Sequence, residues 1–182
     1  MGRTRWLAAV LLLGLTALTG CATKPAPTPP PAQVHQDWPG CDALGAFEGF
    51  YPANETPGMG GVPDDFRPVA AVWCEVGDRP GADPLADPVQ LDLERRATDI
   101  APLLSYLQQR GEVETGLRRV ACPAMAWSPP WLFLLDADDR WIYPRIPTDV
   151  CDFPLRGENA DEEGPWVTLD YRDTVVRIRT DR

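Results

Sequence analysis

Apolar residues recur along much of this chain with the spacing of β-strands. Residues 66–76, FRPVAAVWCEV, are almost continuously apolar and rich in valine, which is typical of a buried strand. Val89, Leu91 and Leu93 alternate with polar residues, which is the period of a strand with one buried face. Residues 131–147, WLFLLDADDRWIYPRIP, contain two apolar runs joined by a polar turn, and this pattern predicts a β-hairpin.

One segment has the period of an α-helix instead. We expect this helix to begin near Thr98 or Asp99, either of which can cap it, with Pro102 tolerated in the first turn. Gly111 is expected to end it. The apolar side chains that share one face are Ile100, Leu103, Leu104 and Leu107. This face predicts packing on a sheet, because a short helix is stabilised mainly by such contacts.

Two further strands are predicted near the end of the chain. Residues 166–171 alternate between two faces, and residues 174–179, TVVRIR, are rich in β-branched side chains. Strands outnumber helices and their connections are short, which favours antiparallel pairing. The predicted fold class is therefore α+β, with a small antiparallel sheet, one main helix packed on it and two disulfides.

The first twenty residues have the pattern of an export signal. Arg3 and Arg5 precede an apolar run over residues 6–18. This run is shorter than the ~20 apolar residues that a membrane-spanning helix needs. The pattern therefore predicts a signal peptide rather than a membrane span.

The residues that follow, LTGC at positions 18–21, resemble the lipobox of bacterial lipoproteins. The resemblance implies cleavage before Cys21 and transfer of diacylglycerol to its thiol, so that acyl chains such as palmitate anchor the protein. Residues 1–20 would then be the signal peptide, and the protein would lie on the extracytoplasmic side of the cell membrane. A plain signal peptide that happens to contain a cysteine is the alternative.

A proline-rich stretch follows the lipidated cysteine. Five prolines between residues 25 and 31 favour extended polyproline II structure. At about 3.1 Å per residue, residues 22–38 are expected to form a spacer on the order of 50 Å long. Residues 21–38 are therefore assigned to a tether, and residues 39–182 to a single extracytoplasmic domain.

The remaining cysteines are Cys41, Cys74, Cys122 and Cys151, an even set that suggests two disulfides in an exported chain. Three pairings are open. We favour Cys41 with Cys74 and Cys122 with Cys151, because each bond closes about 30 residues and brackets a plausible sheet unit. A zinc site is the competing interpretation, but the chain has no CxxC pair and its single histidine lies in the tether.

Composition disfavours several functions. The formal net charge of −10 leaves no basic face for nucleic acid. Serine–histidine catalysis is disfavoured because His35 lies in the tether and the two serines, Ser105 and Ser128, have no GxSxG context. Bonded cysteines would leave no thiol nucleophile. We therefore predict no catalytic residue, no cofactor and no metal site.

Two alternatives involve carboxylates. A carboxylate pair could act as in a glycosidase, but many surface carboxylates are expected at this net charge. Residues 136–147 begin like a calcium loop, yet Trp141 stands where that loop has glycine and Pro147 where it has glutamate. A hairpin turn explains this stretch better.

Five of the seven tryptophans fall into two groups. Trp73, Trp131 and Trp141 lie within apolar strands and are expected in the core. Trp38 and Trp127 lie in irregular segments near prolines, and they are the candidates for exposed rings that stack on cell-wall sugars.

Two resemblances extend beyond the lipobox. Together with the lipobox and the proline stretch, the segments FRPVAAVWC and CPAMAWSPPWLFLLDADDRWIYPRIPTDVC make residues 40–155 similar to small lipoproteins of actinobacteria. This likeness implies a location and brings no activity.

The stretch CPAMAWSPPWLFLLDADDRW, followed by Cys151, also resembles the subtilisin-inhibitor-like family of actinobacteria. That family folds an antiparallel sheet with a helix on it, and its inhibitory loop begins Cys-Pro-Met-Val. The resemblance implies a protease-facing bond between Met125 and Ala126, stiffened by a Cys122–Cys151 bridge. A stiff loop lowers the cost of binding.

The functional hypothesis is a membrane-anchored lipoprotein that acts as a non-catalytic binding or structural module at the cell envelope. Its expected partners are the membrane, through the lipid, and an envelope protein, a protease or a cell-wall glycan. The alternatives are a subtilisin-inhibitor-like protease inhibitor and a cell-wall carbohydrate-binding module.

Overall fold

The computed structural model describes residues 23–48, 58–79, 88–115, 120–124, 127–155 and 164–179. Within these ranges the chain forms seven strands, one α-helix and one 3₁₀ turn. In chain order they are β1 (Thr23–Pro25), β2 (Ala70–Arg79), β3 (Val89–Ala97), α1 (Ala101–Leu107), β4 (Glu112–Glu114), β5 (Trp131–Leu135), β6 (Trp141–Ile142), the 3₁₀ turn (Pro165–Thr168) and β7 (Arg172–Ile178).

The strands form two antiparallel sheets. The main sheet has the order β6-β5-β2-β3-β7, and a separate two-stranded sheet pairs β1 with β4. The prediction of an α+β chain with antiparallel strands and one helix is confirmed in this coarse form. The main sheet is larger than predicted, because five strands hydrogen-bond in it.

The centre of the main sheet, formed by residues 70–74 of β2 and by β5, is covered on both faces, whereas β7 is exposed along its length. On one face Ala71 and Leu134 belong to a core that includes Leu103 of α1. On the other face Val72 and Phe133 belong to a second core. A strand that is buried on both faces has no polar positions to alternate with. This explains why residues 70–74 of β2 and the whole of β5 are continuously apolar.

The predicted hairpin is confirmed as β5 and β6. The turn between them is organised by Asp136, whose Oδ1 accepts the backbone N–H groups of Asp138 and Arg140 at 3.0 Å each. Arg140 Nε also donates to Asp136 Oδ2 at 2.6 Å. The carboxylate oxygens of Asp136 therefore serve the turn, as the hairpin interpretation of this acidic stretch expects.

The helix forms within the predicted span, but both of its ends differ from the prediction. It ends at Leu107 with Gln108 as its C-cap, so Gly111 does not end it. Its N-cap residue is Ile100, and no side chain caps it, so the predicted cap at Thr98 or Asp99 is wrong. Pro102 lies in the first turn, as predicted. Leu103 is fully buried, so packing on the sheet takes over the stabilisation that a cap would supply.

Of the two strands predicted near the end of the chain, one is present and the other is not. The predicted strand at residues 174–179 is confirmed as β7, at the free edge of the main sheet. The strand predicted at residues 166–171 is wrong, because residues 165–168 form the 3₁₀ turn. Trp166 in that turn is buried, with its ring centroid 5.9 Å from that of Tyr106. The alternation of residues 166–171 favours a strand, but it is only six residues long. Burial of the Trp166 ring against α1 outweighs that weak preference.

Both favoured disulfides are present. Cys41 is bonded to Cys74, and Cys122 is bonded to Cys151. The first bond is buried and joins the chain before the main sheet to β2. The second bond lies nearer the surface, since Cys122 is exposed.

Residues 23–38, called the N-terminal segment below, pack on the rest of the chain. Ala26 N–H donates to Gly111 O at 2.7 Å, and Ala32 N–H donates to Gly61 O at 2.8 Å. His35 and Trp141 exchange two backbone hydrogen bonds of 2.9 and 3.0 Å.

This packing differs from the extended spacer predicted for residues 22–38. Prolines remove backbone donors but keep every carbonyl acceptor, and the residues between them keep their N–H groups. A proline-rich segment can therefore dock along a folded surface, as residues 23–38 do here.

Candidate functional site

A cleft of about 710 Å³ lies between the N-terminal segment and the rest of the fold. We call it the N-terminal cleft. Its walls are residues 26–29, the loop 61–67, and the chain from the end of α1 into β4, with 145–148 and Asp152 completing it. A cleft of this size is in the range of small-ligand sites.

Close backbone contacts shape the walls of the cleft. A Cβ at Gly60 would lie 2.3 Å from Pro30 O, and a Cβ at Gly111 would lie 2.7 Å from Thr148 O. Glycine at these two positions lets the N-terminal segment and β4 approach their neighbours closely. The position of the cleft walls therefore depends on these close contacts between backbone segments.

Three arginines line the cleft. Arg67 Nη1 donates to the carbonyl oxygens of Asp64 and Phe66, and Arg110 Nη2 donates to Thr28 Oγ1 at 3.4 Å. Arg145 is exposed, and its side chain makes no hydrogen bond or ion pair with a described residue.

Three carboxylates, Asp64, Glu112 and Asp152, share the lining with these arginines. Across the part of the chain that the structure describes, none of the three arginines is ion-paired with a carboxylate. A guanidinium without a carboxylate partner can bind a carboxylate or phosphate of a ligand. The mixture of signs suits a ligand that has both an anionic group and hydrogen-bond donors.

The nucleophilic side chains of the described lining are few. Among the described residues of the cleft the only hydroxyls are those of Thr28 and Thr148, and there is no histidine, cysteine or serine.

The two tryptophans predicted to face a ligand are both half-buried. Trp38 packs on Phe133 and Trp141, and its Nε1 donates to Glu94 Oε1 at 3.3 Å. Trp127 packs beside Trp166 with ring centroids 6.3 Å apart. Both rings therefore contribute to core packing, and neither lines the N-terminal cleft.

The predicted reactive loop is described only in part. Met125 and Ala126 lie outside the described residues, as does the lipidation residue Cys21. Residues 121–124 are exposed, and Cys122 is bonded to Cys151. The disulfide predicted to stiffen this loop is therefore present, and the described residues just before Met125 are exposed.

Sequence reasoning missed the cleft. Arg67, Arg110 and Arg145 stand in three unrelated segments, and no spacing in the sequence connects them. The docked proline segment is what brings them to one cavity. Only the glycines of the GMGGVP stretch at residues 58–63 hinted at a close backbone approach.

No family model, no curated protein and no solved structure matches this chain. Over the described ranges, no group of three or more histidine, cysteine, aspartate or glutamate residues could hold a metal ion. No helix in those ranges has the length and apolar character needed to cross a membrane.

Proposed function

We propose that this chain is a membrane-anchored lipoprotein whose extracytoplasmic domain is a non-catalytic binding module, with the N-terminal cleft as its ligand site. The observation that carries this proposal is the cleft itself, an open cavity of about 710 Å³ lined by arginines without carboxylate partners among the described residues. Its mixed charge favours a ligand with carboxylate and amide or hydroxyl groups. Cell-wall muropeptides, which are disaccharides that carry short peptides, have this chemistry.

The anchor is tested by intact mass of the protein expressed in a host that processes lipoproteins. We expect a chain that begins at Cys21 and carries a diacylglycerol thioether, recovered in the membrane fraction. The Cys21→Ser variant should appear in the soluble fraction. An unmodified Cys21 in a soluble chain would contradict the anchor.

Ligand binding is tested by calorimetric titration with purified soluble muropeptides. We expect saturable binding that Arg145→Glu weakens at least tenfold, because the substitution puts a like charge opposite the ligand's carboxylate. Arg172→Glu is the matched control, since Arg172 is also exposed but lies on β7 and does not line the cleft. Absence of saturable heat, or equal losses in both variants, would contradict this site.

A second candidate function, protease inhibition, is favoured by a separate observation. The Cys122–Cys151 bond is formed, and residues 121–124 that lead to Met125 are exposed. An exposed, disulfide-braced segment is preorganised for binding in a protease cleft. This chain carries one more residue, Ala124, between the cysteine and the methionine than the family it resembles.

Titration of a subtilisin-like protease with the protein tests this second function. Stoichiometric inhibition should be lost on reduction of the disulfides and in Met125→Arg. Val69→Arg is the control, because it places the same charge on another exposed apolar position. Inhibition that is absent, or that survives Met125→Arg, would exclude this loop as the inhibitory one.

A further inference from the structure

The first strand begins almost at the predicted anchor. Only Ala22 separates Cys21 from Thr23, the first residue of β1. Two residues of extended chain span at most about 7 Å. The point where the fold begins therefore lies within about 7 Å of the residue that carries the lipid.

Strand β1 is held along its length. Its three residues pair with Glu112–Glu114 of β4, and Ala26 N–H then donates to Gly111 O at 2.7 Å. Further along the N-terminal segment Ala32 is buried, and the His35 ring stacks on Trp141 with centroids 4.2 Å apart. These contacts leave little free chain between the anchor and the domain.

We propose that the domain lies directly against the lipid bilayer, with the β1–β4 sheet at the headgroups, rather than at the end of a spacer. This inference rests on the proposed lipid anchor at Cys21 and deepens it. The partner of the β1–β4 sheet is then the membrane surface. The observation behind this inference is the short length of chain between Cys21 and β1.

The exposed charges of the β1–β4 sheet indicate that the short anchor, rather than attraction to anionic lipid, would hold this sheet at the bilayer. Lys24, Glu112 and Glu114 are exposed on the β1–β4 sheet, so both signs are present. A surface of mixed sign has no strong attraction to anionic lipid. The contact should therefore persist at high salt and on a neutral bilayer, unlike that of a polybasic surface.

The position also constrains the ligand of the cleft. Glu112 lines the N-terminal cleft and pairs with Pro25, four residues after Cys21. That wall of the cleft is within about 20 Å of the anchor residue. The cleft then opens close to the bilayer, so its ligand is one that reaches the membrane surface.

Neutron reflectometry of the chain from Cys21 to Arg182 on a supported phosphatidylcholine bilayer tests this arrangement. The four other cysteines are bonded in two disulfides, so Cys21 alone can be coupled to a maleimide lipid in the bilayer. This chain contains every described strand, helix and disulfide. Coupling makes the measurement independent of whether cells lipidate Cys21.

Three variants calibrate the measurement. A six-residue Gly/Ser insertion after Cys21 should move the protein layer outward by about 10–15 Å. Ala26→Pro removes the N–H that bonds to Gly111 and should also widen the gap. Pro27→Ala changes an exposed residue of the same segment, keeps the Ala26 N–H, and should leave the layer in place.

For the unmodified chain we expect a protein layer that begins at the headgroups, with a gap under about 10 Å that is unchanged in 1 M salt. A water-filled gap of about 50 Å, as polyproline II would give, would overturn the inference. So would an unchanged gap in Ala26→Pro, since β1 would then not hold the domain down. Failure of native lipidation would appear in the intact mass instead and would count against the anchor alone.

Discussion

At the residue scale, the most constrained charge is Asp92, which is fully buried on β3. Arg179 Nε donates to its Oδ1 at 2.6 Å, and Arg177 Nε lies 3.2 Å from its Oδ2 without hydrogen-bond alignment. Arg177 also pairs with Asp42, and Arg179 donates to Phe47 O. This carboxylate therefore connects β3 with the end of β7 and with the chain around Cys41.

We expect Asp92→Asn to lower the free energy of unfolding by about 2–3 kcal/mol, the value of hydrogen bonds to a charged group. The cost stays below that of a fully buried ion pair because both arginines are partly exposed. Urea denaturation measures it. Asp42→Asn removes an exposed partner of the same Arg177 and should cost at most about 1 kcal/mol. Equal losses in the two variants would contradict the role given to Asp92.

Asp136 gives the fold a dependence on acid. Burial alone would raise its pKa, but hydrogen bonds from the Arg140 side chain and from the backbone of Asp138 and Arg140 outweigh it, so the pKa lies below its ordinary value. A depressed pKa stabilises the fold above the ordinary aspartate value of about 3.9, and that stability is lost as pH falls through the lower, folded-state pKa.

Asp136→Asn should therefore be less stable than the unmodified chain at pH 6, and the difference should shrink as pH falls below about 4. Urea denaturation between pH 2 and pH 6 measures this. Asp138→Asn, an exposed change in the same turn, should alter stability at pH 6 by less than about 0.5 kcal/mol. A difference between Asp136→Asn and the unmodified chain that grows toward low pH would contradict the assignment.

At the element scale, the two disulfides differ in accessibility. Cys41 and Cys74 are 0% and 4% exposed within a core, whereas Cys122 is exposed. A thiolate reductant must reach the sulfur that it attacks. We expect low dithiothreitol under native conditions to open Cys122–Cys151 first, as measured by alkylation and peptide mass mapping. Labelling of Cys41 and Cys74 first would contradict this order. The Cys122→Ser/Cys151→Ser variant should show no labelling of Cys41 or Cys74 under the same conditions.

The elements that could be predicted are those whose pattern and burial agree. The sequence of the β5–β6 hairpin has two apolar runs on either side of an aspartate-rich turn. In the structure the two runs pair as antiparallel strands, and Asp136 accepts a hydrogen bond within the turn. The 3₁₀ turn at Pro165–Thr168 could not be predicted, because the position of Trp166 depends on Tyr106 from another element. The β1–β4 pairing could not be predicted either, since β1 lies in a proline-rich stretch that favours no sheet.

At the scale of the whole molecule, the proposed ligand site depends on contacts between distant segments. The N-terminal cleft exists only because residues 26–29 dock against the loop 61–67 and the chain around Gly111. Sequence patterns describe neighbours along the chain, so they predicted both disulfide pairings but not this cavity. The docked segment also shortens the spacer expected after the proposed anchor, because the first described strand begins two residues after Cys21.

The same docking makes the N-terminal segment part of the stability of the fold. A chain from residue 39 onward would lose the burial of Ala32, the His35 stack on Trp141 and the contacts of Trp38 with Phe133. Loss of one packed tryptophan alone costs about 3–5 kcal/mol, so we expect the melting temperature to fall by roughly 10 °C relative to the chain from residue 21. Calorimetry of both chains, each with Cys21 absent or replaced by serine, measures the difference.

Gln36→Ala, an exposed change in the same segment, should leave the melting temperature within about 2 °C. A free spacer would leave both chains equally stable, so equal melting temperatures would remove the support for the cleft and for contact with the bilayer together.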